Sequence, residues 1–287
     1  MDESRYALYN RHMATIVDGR ALAREIQSEL AHIVAGLPHA PRLDVIVVGT
    51  NPVIDSFVKR KEKFAARIGV EFVHHTLDES ITTEDIVEKI TYLEEKTNGI
   101  VVQLPLPEHI DTHAVIRALP ASKDVDVIND DTLALFRDNK SPFVPPVAGA
   151  VKVIFDAHDV GVLDKKVVIV GKGRLVGLPV QTLLEKEGAN VVMVDSSTSR
   201  EEFADALKHA DIVVSGAGSP NLVTKEMVRE GAVLIDAGTS SAGQTIEGDI
   251  ARECADVASL VSQTPGGVGP ITVAVLFQNL INAHPGI

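Results

Sequence analysis

The sequence predicts an α/β protein built from two blocks in which strands and helices alternate. Three observations carry this. Short runs rich in Val and Ile recur along the chain. Helical stretches separate them, in the strand–helix–strand order of a parallel sheet. A proline-rich segment, DNKSPFVPPVAG, with Pro142, Pro145, Pro146 and Gly149, divides the series and reads as a domain boundary.

In the first block, LDVIVVG (43–49) is a strand and about 52–68 a helix. EFVHHTL (71–77) is a strand, TTEDIVEKITYLEEK (82–96) a helix, and GIVVQLPL (99–106) a strand. In the second, KVVIVG (166–171), ANVVMVD (189–195), DIVVSGAG (211–218) and AVLIDAG (232–238) are strands. Helices over about 177–187 and over SREEFADALKHA (199–210) lie between them. The strands are apolar throughout, as expected where helices cover both faces of a sheet. The last stretch, VGPITVAVLFQNLINAH (268–284), reads as an apolar helix able to return to the first block.

Composition sets limits. The chain has 287 residues, 45% hydrophobic and 23% charged, which suits one large domain or two medium ones and gives no sign of disorder. Its formal charge of −13 argues against a broad nucleic-acid partner, which needs a basic footprint. The single cysteine, Cys254, excludes an internal disulfide framework and any cysteine-based zinc site. No apolar run approaches the ~18 residues of a membrane span, and the acidic N-terminus reads as a short leader rather than a signal peptide. A soluble cytoplasmic protein with no membrane partner and no metal is the expectation.

The basic stretch DSFVKRKEKFAARIGVEF (55–72) stands out against that acidic background. On a helix, Phe57, Val58, Lys61, Phe64, Ala65 and Ile68 share one stripe, and Lys59, Arg60, Lys63 and Arg67 fall largely outside it. Four of the five cations are therefore a solvated face. Lys61 sits on the apolar stripe, where it either snorkels or is held desolvated, and desolvation lowers a lysine's pKa in the way catalytic lysines exploit.

A second signal is VVIVGKGRLVGLPVQTLL, in which Gly171, Gly173 and Gly177 follow a strand and open a helix. The spacing is one residue longer than the usual Rossmann fingerprint, but Asp195 closes the next strand about twenty residues on, as an acid that reads a ribose should. Gly171, Lys172, Gly173, Gly177 and Asp195 are the candidate dinucleotide residues. Asp195 favours NAD, since it would repel a 2′-phosphate; Lys172 favours NADP.

Several stretches together resemble the bifunctional methylenetetrahydrofolate dehydrogenase/methenyltetrahydrofolate cyclohydrolase family. VDGRALAREIQSEL is similar to its opening helix and VGTNPVIDSFVKRKEKFAARIGV to its V-G-x-x-P-x-S-x-x-Y-V-x-x-K segment. GIVVQLPLP, KDVD, GKGRLVGLP and TPGGVGPITVAVL match further family motifs, in order, from about residue 15 to 284. The resemblance implies a catalytic domain over 1–145 with 270–287 packing back, and a Rossmann-type NAD(P)-binding domain over 146–269. It implies catalytic roles for Lys61, for Gln103, which orients it, and for Asp126, which grips the pterin edge. Phe57, Val102, Leu104, Pro265, Gly266, Gly267 and Thr272 are implied as substrate-binding, and Ser196 and Thr239 join the cofactor residues. NADP is the implied cofactor, with NAD allowed by Asp195, and a homodimer through the second domain is implied too.

Departures from the pattern put cofactor choice and the balance of activities in question. The family tyrosine four residues before the lysine is Phe57, and the glycine after K-D-V-D is Val127. The P-C-T-P turn reads VPPVAG, the loop arginine and serine are Lys172 and Gly173, and the histidine of C-H-S-x-T is Asp195. A dehydrogenase-only enzyme and a non-catalytic folate-binding module are the alternatives. An unrelated two-domain dehydrogenase of the shikimate type would leave Q-L-P-L-P and P-G-G-V-G-P unexplained.

Overall fold

The computed structural model describes residues 14–242 and 245–286. Its elements in chain order are β1 (Thr15–Ile16), α1 (Gly19–Ala35), β2 (Arg42–Val48), α2 (Pro52–Ile68), β3 (Glu71–Leu77), α3 (Thr83–Glu94), β4 (Gly99–Val102), α4 (Thr112–Arg117), α5 (Asp130–Arg137) and α6 (Pro146–Ala157). There follow β5 (Lys166–Val170), α7 (Gly177–Lys186), β6 (Asn190–Val194), α8 (Arg200–Lys208), β7 (Ile212–Ser215), β8 (Val233–Asp236), β9 (Ser240–Ala242), β10 (Thr245–Glu247), β11 (Leu260–Ser262) and α9 (Val268–Asn282). The described residues form two compact units, one within 21–150 and 271–286, the other within 14–20 and 151–270.

The first unit is a three-stranded parallel sheet in the order β3-β2-β4. Central β2 is buried along nearly its whole length, as a strand covered on both faces must be. Ile46, Ile86, Ile90, Leu93, Ile100 and Leu119 belong to one core cluster. Edge strand β3 is half exposed, so the expectation of strands apolar on both faces fails there; the same holds for β6 at the edge of the other sheet. Helix α3 starts where the sequence says it should, because Thr82 and Asp85 close a capping box. Helix α2 buries Ile54, Val58, Phe64, Ala65 and Ile68 and exposes Lys59, Arg60, Lys63 and Arg67, so the phase reading holds. The C-terminal helix returns to this unit as expected: Phe277 on α9 stacks on Phe64 of α2, ring centroids 5.0 Å apart.

The second unit is a six-stranded parallel sheet in the order β1-β11-β8-β7-β5-β6, with a small β9–β10 hairpin. The chain runs from β5 out to β6 and then back across β5 to β7. That reversal makes the crevice at the C-terminal ends of β5 and β7 the place where an open α/β sheet takes a ligand. One feature differs from the sequence reading. The N-terminal residues, expected with the first block, pair as β1 with β11 and extend this second sheet. Pro146 opens α6, since proline suits a first helical position, and the change of unit falls a few residues on, inside that helix. Among the described residues no helix is long and apolar enough to cross a membrane.

Candidate active site

Lys61 projects from the apolar stripe of α2 and is half-buried. Its Nζ donates to Gln103 Oε1 at 3.0 Å. Gln103 follows the last residue of β4. Its backbone N–H continues the ladder to the Ile46 carbonyl (2.9 Å), and its Nε2 donates to the Leu104 carbonyl at 3.1 Å. The amide is thus fixed at both ends with its oxygen turned to the lysine. Burial lowers the pKa of Lys61 below the ordinary lysine value, and nearby Asp126 opposes the shift. A lysine so placed is able to be neutral more readily than one in water.

Asp126 arrives by a different route. The KDVD segment runs parallel to β4, bridging at Ile100 and Asp124, with the Ile100 N–H donating to the Lys123 carbonyl at 2.8 Å. Two residues further on, the segment brings Asp126 to the end of β4. Buried Asp124 shapes the next turn by accepting from the N–H groups of Ile128 (3.2 Å) and Asn129 (2.8 Å). Its carboxyl is pushed up to about 6, by burial first of all. Buried Asn279 of α9 donates to the carbonyls of Val125 and Val144, each at 2.8 Å. Asn279 carried no signal in the sequence, since its value lies in backbone carbonyls 154 and 135 positions away.

The glycine loop of the second unit leaves β5 at Gly171, whose φ of +98° is one that other residues rarely adopt. A Cβ on Gly177 would lie 2.0 Å from the Gly171 carbonyl oxygen, so α7 begins hard against the turn. An open hollow of about 310 Å³ is lined by Gly173, Arg174, Val176, Gly216, Gly238 and Thr239, among others. Glycine backbone, a helix start and the crevice position together fit the pyrophosphate of a dinucleotide. At the end of β6, Asp195 accepts from the Ser197 hydroxyl (2.5 Å) and N–H (3.0 Å) and pairs with Lys172 Nζ at 3.0 Å. Its carboxyl is held at about 2, first by the Ser197 hydroxyl and then by Lys172.

Two family models match the sequence: the catalytic domain of tetrahydrofolate dehydrogenase/cyclohydrolase over residues 17–126, and its NAD(P)-binding domain over 145–285. The chain belongs to the tetrahydrofolate dehydrogenase/cyclohydrolase family. The bifunctional protein FolD of Enterococcus faecalis is 35% identical over 279 residues, covering 94% of this chain and 98% of that one. The Trypanosoma brucei methylenetetrahydrofolate dehydrogenase-cyclohydrolase, solved with NADP and an inhibitor, has a TM-score of 0.89 at 35% identity, covering 94% of this chain and 97% of that one. The Campylobacter jejuni bifunctional enzyme also gives 0.89, at 31% identity, covering 94% and 98%.

The departures from the family pattern can be placed. Phe57 is half-buried beside Lys61 on α2, and the Arg60 guanidinium lies 5.1 Å from its ring centroid. Val127, in place of the glycine, keeps the left-handed backbone with φ +52° and buries its side chain. The remaining expected residues divide. Leu104 and Thr272 are half-buried, Ser196 and Thr239 exposed. The Val102 side chain is committed to the core, which leaves only its backbone to face a ligand. In the PGGVG turn Pro265 is exposed, but Gly267 is buried because the chain itself fills the space: a Cβ on Gly19 would lie 1.8 Å from the Gly267 carbonyl oxygen. The small residues there are needed for packing between two backbones.

Proposed function

We propose that this protein oxidises 5,10-methylenetetrahydrofolate to the 5,10-methenyl form with NAD(P) and hydrolyses that product to 10-formyltetrahydrofolate, in one-carbon metabolism. The observation that carries the reading is the hydrogen bond from Lys61, a lysine with a lowered pKa, to Gln103 at a strand end. NAD(P), when bound, supplies the hydride acceptor, and loss of hydride from the methylene bridge leaves a methenyl cation. In the hydrolysis, water adds to that carbon and gives up a proton. The C–N5 bond then breaks as the added hydroxyl releases its proton to solvent and becomes the formyl C=O, and N5 takes a proton. Lys61 in its neutral form accepts the proton from water and in its charged form returns one, with Gln103 holding the amine in one rotamer. Asp126 accepts from the N–H edge of the pterin, a donor array suited to a carboxylate. The loop Gly171–Gly177, with Asp195, Ser196 and Thr239, holds the dinucleotide. Phe57, Leu104, the backbone at Val102, Pro265, Gly266, Gly267 and Thr272 are assigned to the folate.

Two domains correspond to the two chemical tasks, a catalytic one up to about residue 145 with 270–287, and the NAD(P)-binding one between. A cytoplasmic homodimer is the form proposed for the working protein. A dehydrogenase-only enzyme is the second reading, favoured by Phe57, which lacks the family's hydroxyl beside Lys61.

One assay tests both. Purified protein is mixed with 5,10-methylenetetrahydrofolate and either NAD or NADP, reduced nicotinamide is followed, and methenyl product is quantified after acid quench. Reduction without accumulating methenyl supports the bifunctional enzyme. Reduction with accumulation supports the dehydrogenase alone. No reduction with either cofactor overturns the proposal.

A further inference from the structure

Two buried carboxylates in the second unit have no place in the chemistry above. Asp249 follows the β9–β10 hairpin and is fully buried. Its Oδ2 accepts from Ser215 Oγ (2.7 Å) and from the N–H groups of Ala217 (2.7 Å) and Gly218 (3.2 Å), and its Oδ1 from the Ser219 N–H (2.7 Å). Asp236 ends β8 at 1% exposure. It accepts from the N–H groups of Gly238 (3.1 Å), Asp249 (3.1 Å) and Ile250 (3.2 Å). One carboxylate therefore ties the loop after β7 to the segment 248–250, and the other ties that same segment to the loop after β8.

These two loops, through Gly216, Ala217, Gly218, Gly238 and Thr239, line the hollow beside the glycine loop. The clasp is closed sterically as well. A Cβ on Gly248 would lie 1.8 Å from Asp236 Oδ2, and one on Gly238 would lie 2.1 Å from the Asp249 carboxyl carbon. Left to themselves the loop amides would need water or new partners, and a loop free to move must be ordered when a ligand binds. A buried carboxylate that accepts four donors fixes the loop beforehand.

We propose that Asp249, held in place by Asp236, is a positioning residue for the dinucleotide: it orders the β7 and β8 loops into the shape that NAD(P) binds. The inference rests on the NAD(P)-binding reading of this unit and adds the residues that pre-form the cleft. Neither aspartate touches the reacting atoms.

The two activities separate this role from simple structural support, because hydrolysis of methenyltetrahydrofolate consumes no nicotinamide. In Asp249→Asn the amide presents an NH2 group where N–H donors point. We expect the Kd for reduced NADP, measured by nicotinamide fluorescence, to rise 10- to 100-fold. Cyclohydrolase turnover should stay within about twofold, and amide exchange at 216–219 should quicken in the free protein. Ser215→Ala, which removes one donor and leaves the three backbone bonds, should raise the Kd by only a few-fold and serves as the milder variant that keeps the fold. An unchanged Kd in Asp249→Asn, or loss of both activities in proportion to the folded fraction, would overturn the proposal. Failure of wild-type protein to bind either nicotinamide would instead remove the reading on which it rests.

Discussion

Replacing Lys61 with Met should make the protein more stable and less active, and the two effects have one cause. The amine is carried on an apolar helix stripe, and burial holds its pKa below the ordinary value. For a lysine this shift means that the folded state disfavours the charged form. Below the folded-state pKa the whole penalty is present, about 1.4 kcal/mol for each pH unit of lowering. It fades as pH rises toward the unfolded value of 10.5, above which the amine is neutral in both states. Methionine has nearly the same length and no charge to desolvate. Against it stands the loss of the hydrogen bond to Gln103 Oε1, worth about 1 kcal/mol. The desolvation penalty that methionine removes should outweigh the loss of that one bond, and the methionine methyl takes the place already filled by the lysine Cε. The variant should therefore be the more stable of the two at pH 7.

Urea unfolding of both proteins at pH 7, 8.5 and 10.5 checks the sign. The variant's advantage should be largest at pH 7 and shrink toward pH 10.5. Cyclohydrolase turnover, followed by loss of methenyl absorbance, should fall 10²- to 10⁴-fold, the usual scale of general acid–base catalysis. A variant less stable than wild type at every pH would mean that Lys61 is charged and well paired when folded. A variant stable but still hydrolysing at a near-normal rate would remove the lysine from the mechanism.

Asp195→Ser should release Lys172 of the cofactor loop from its 3.0 Å pair and shift the NADP-to-NAD affinity ratio at least tenfold toward NADP; an unchanged ratio in fluorescence titrations would mean that Asp195 does not face the ribose. Val127→Gly should relieve about 1 kcal/mol of left-handed strain yet lose about 2 kcal/mol of side-chain burial, a net destabilisation that thermal unfolding would report and that a gain in Tm would contradict. Asp124 and Asp236 have carboxyls pushed up to about 6 and about 7, so both are penalised when ionised. Their share of stability is greatest below about pH 4 and is lost as pH rises to about 7, by up to ~4 kcal/mol for Asp236. Asp236→Asn should flatten the urea midpoint between pH 5 and pH 8, and an unchanged slope would refute the assignment.

The fold was legible where a local pattern repeats. The Val and Ile runs of β2, β4, β5, β7 and β8 are buried strands, and the spacing of Val58, Phe64, Ala65 and Ile68 gave the correct buried face of α2. What escaped the sequence reading depends on distant partners. β1 is two residues long and becomes a strand only because β11 lies beside it. The α4 and α5 helices are too short to show a period.

The site divides along the same line, for a reason in the chemistry. Lys61 could be picked out because a cation on an apolar stripe conflicts with its surroundings, and the conflict is visible in the sequence itself. Asp236 and Asp249 show no such conflict. Burial makes each costly to ionise, and what lessens that cost is a set of donors up to 34 positions away, most of them backbone N–H groups. Backbone amides have no letter in a sequence. The only trace they leave is the absence of a Cβ where the carboxylates close in, at Gly238 and Gly248. An aspartate at a strand end, with a glycine two residues on and a Gly–Asp pair about a dozen residues later, is the pattern through which such a clasp would be found in a sequence.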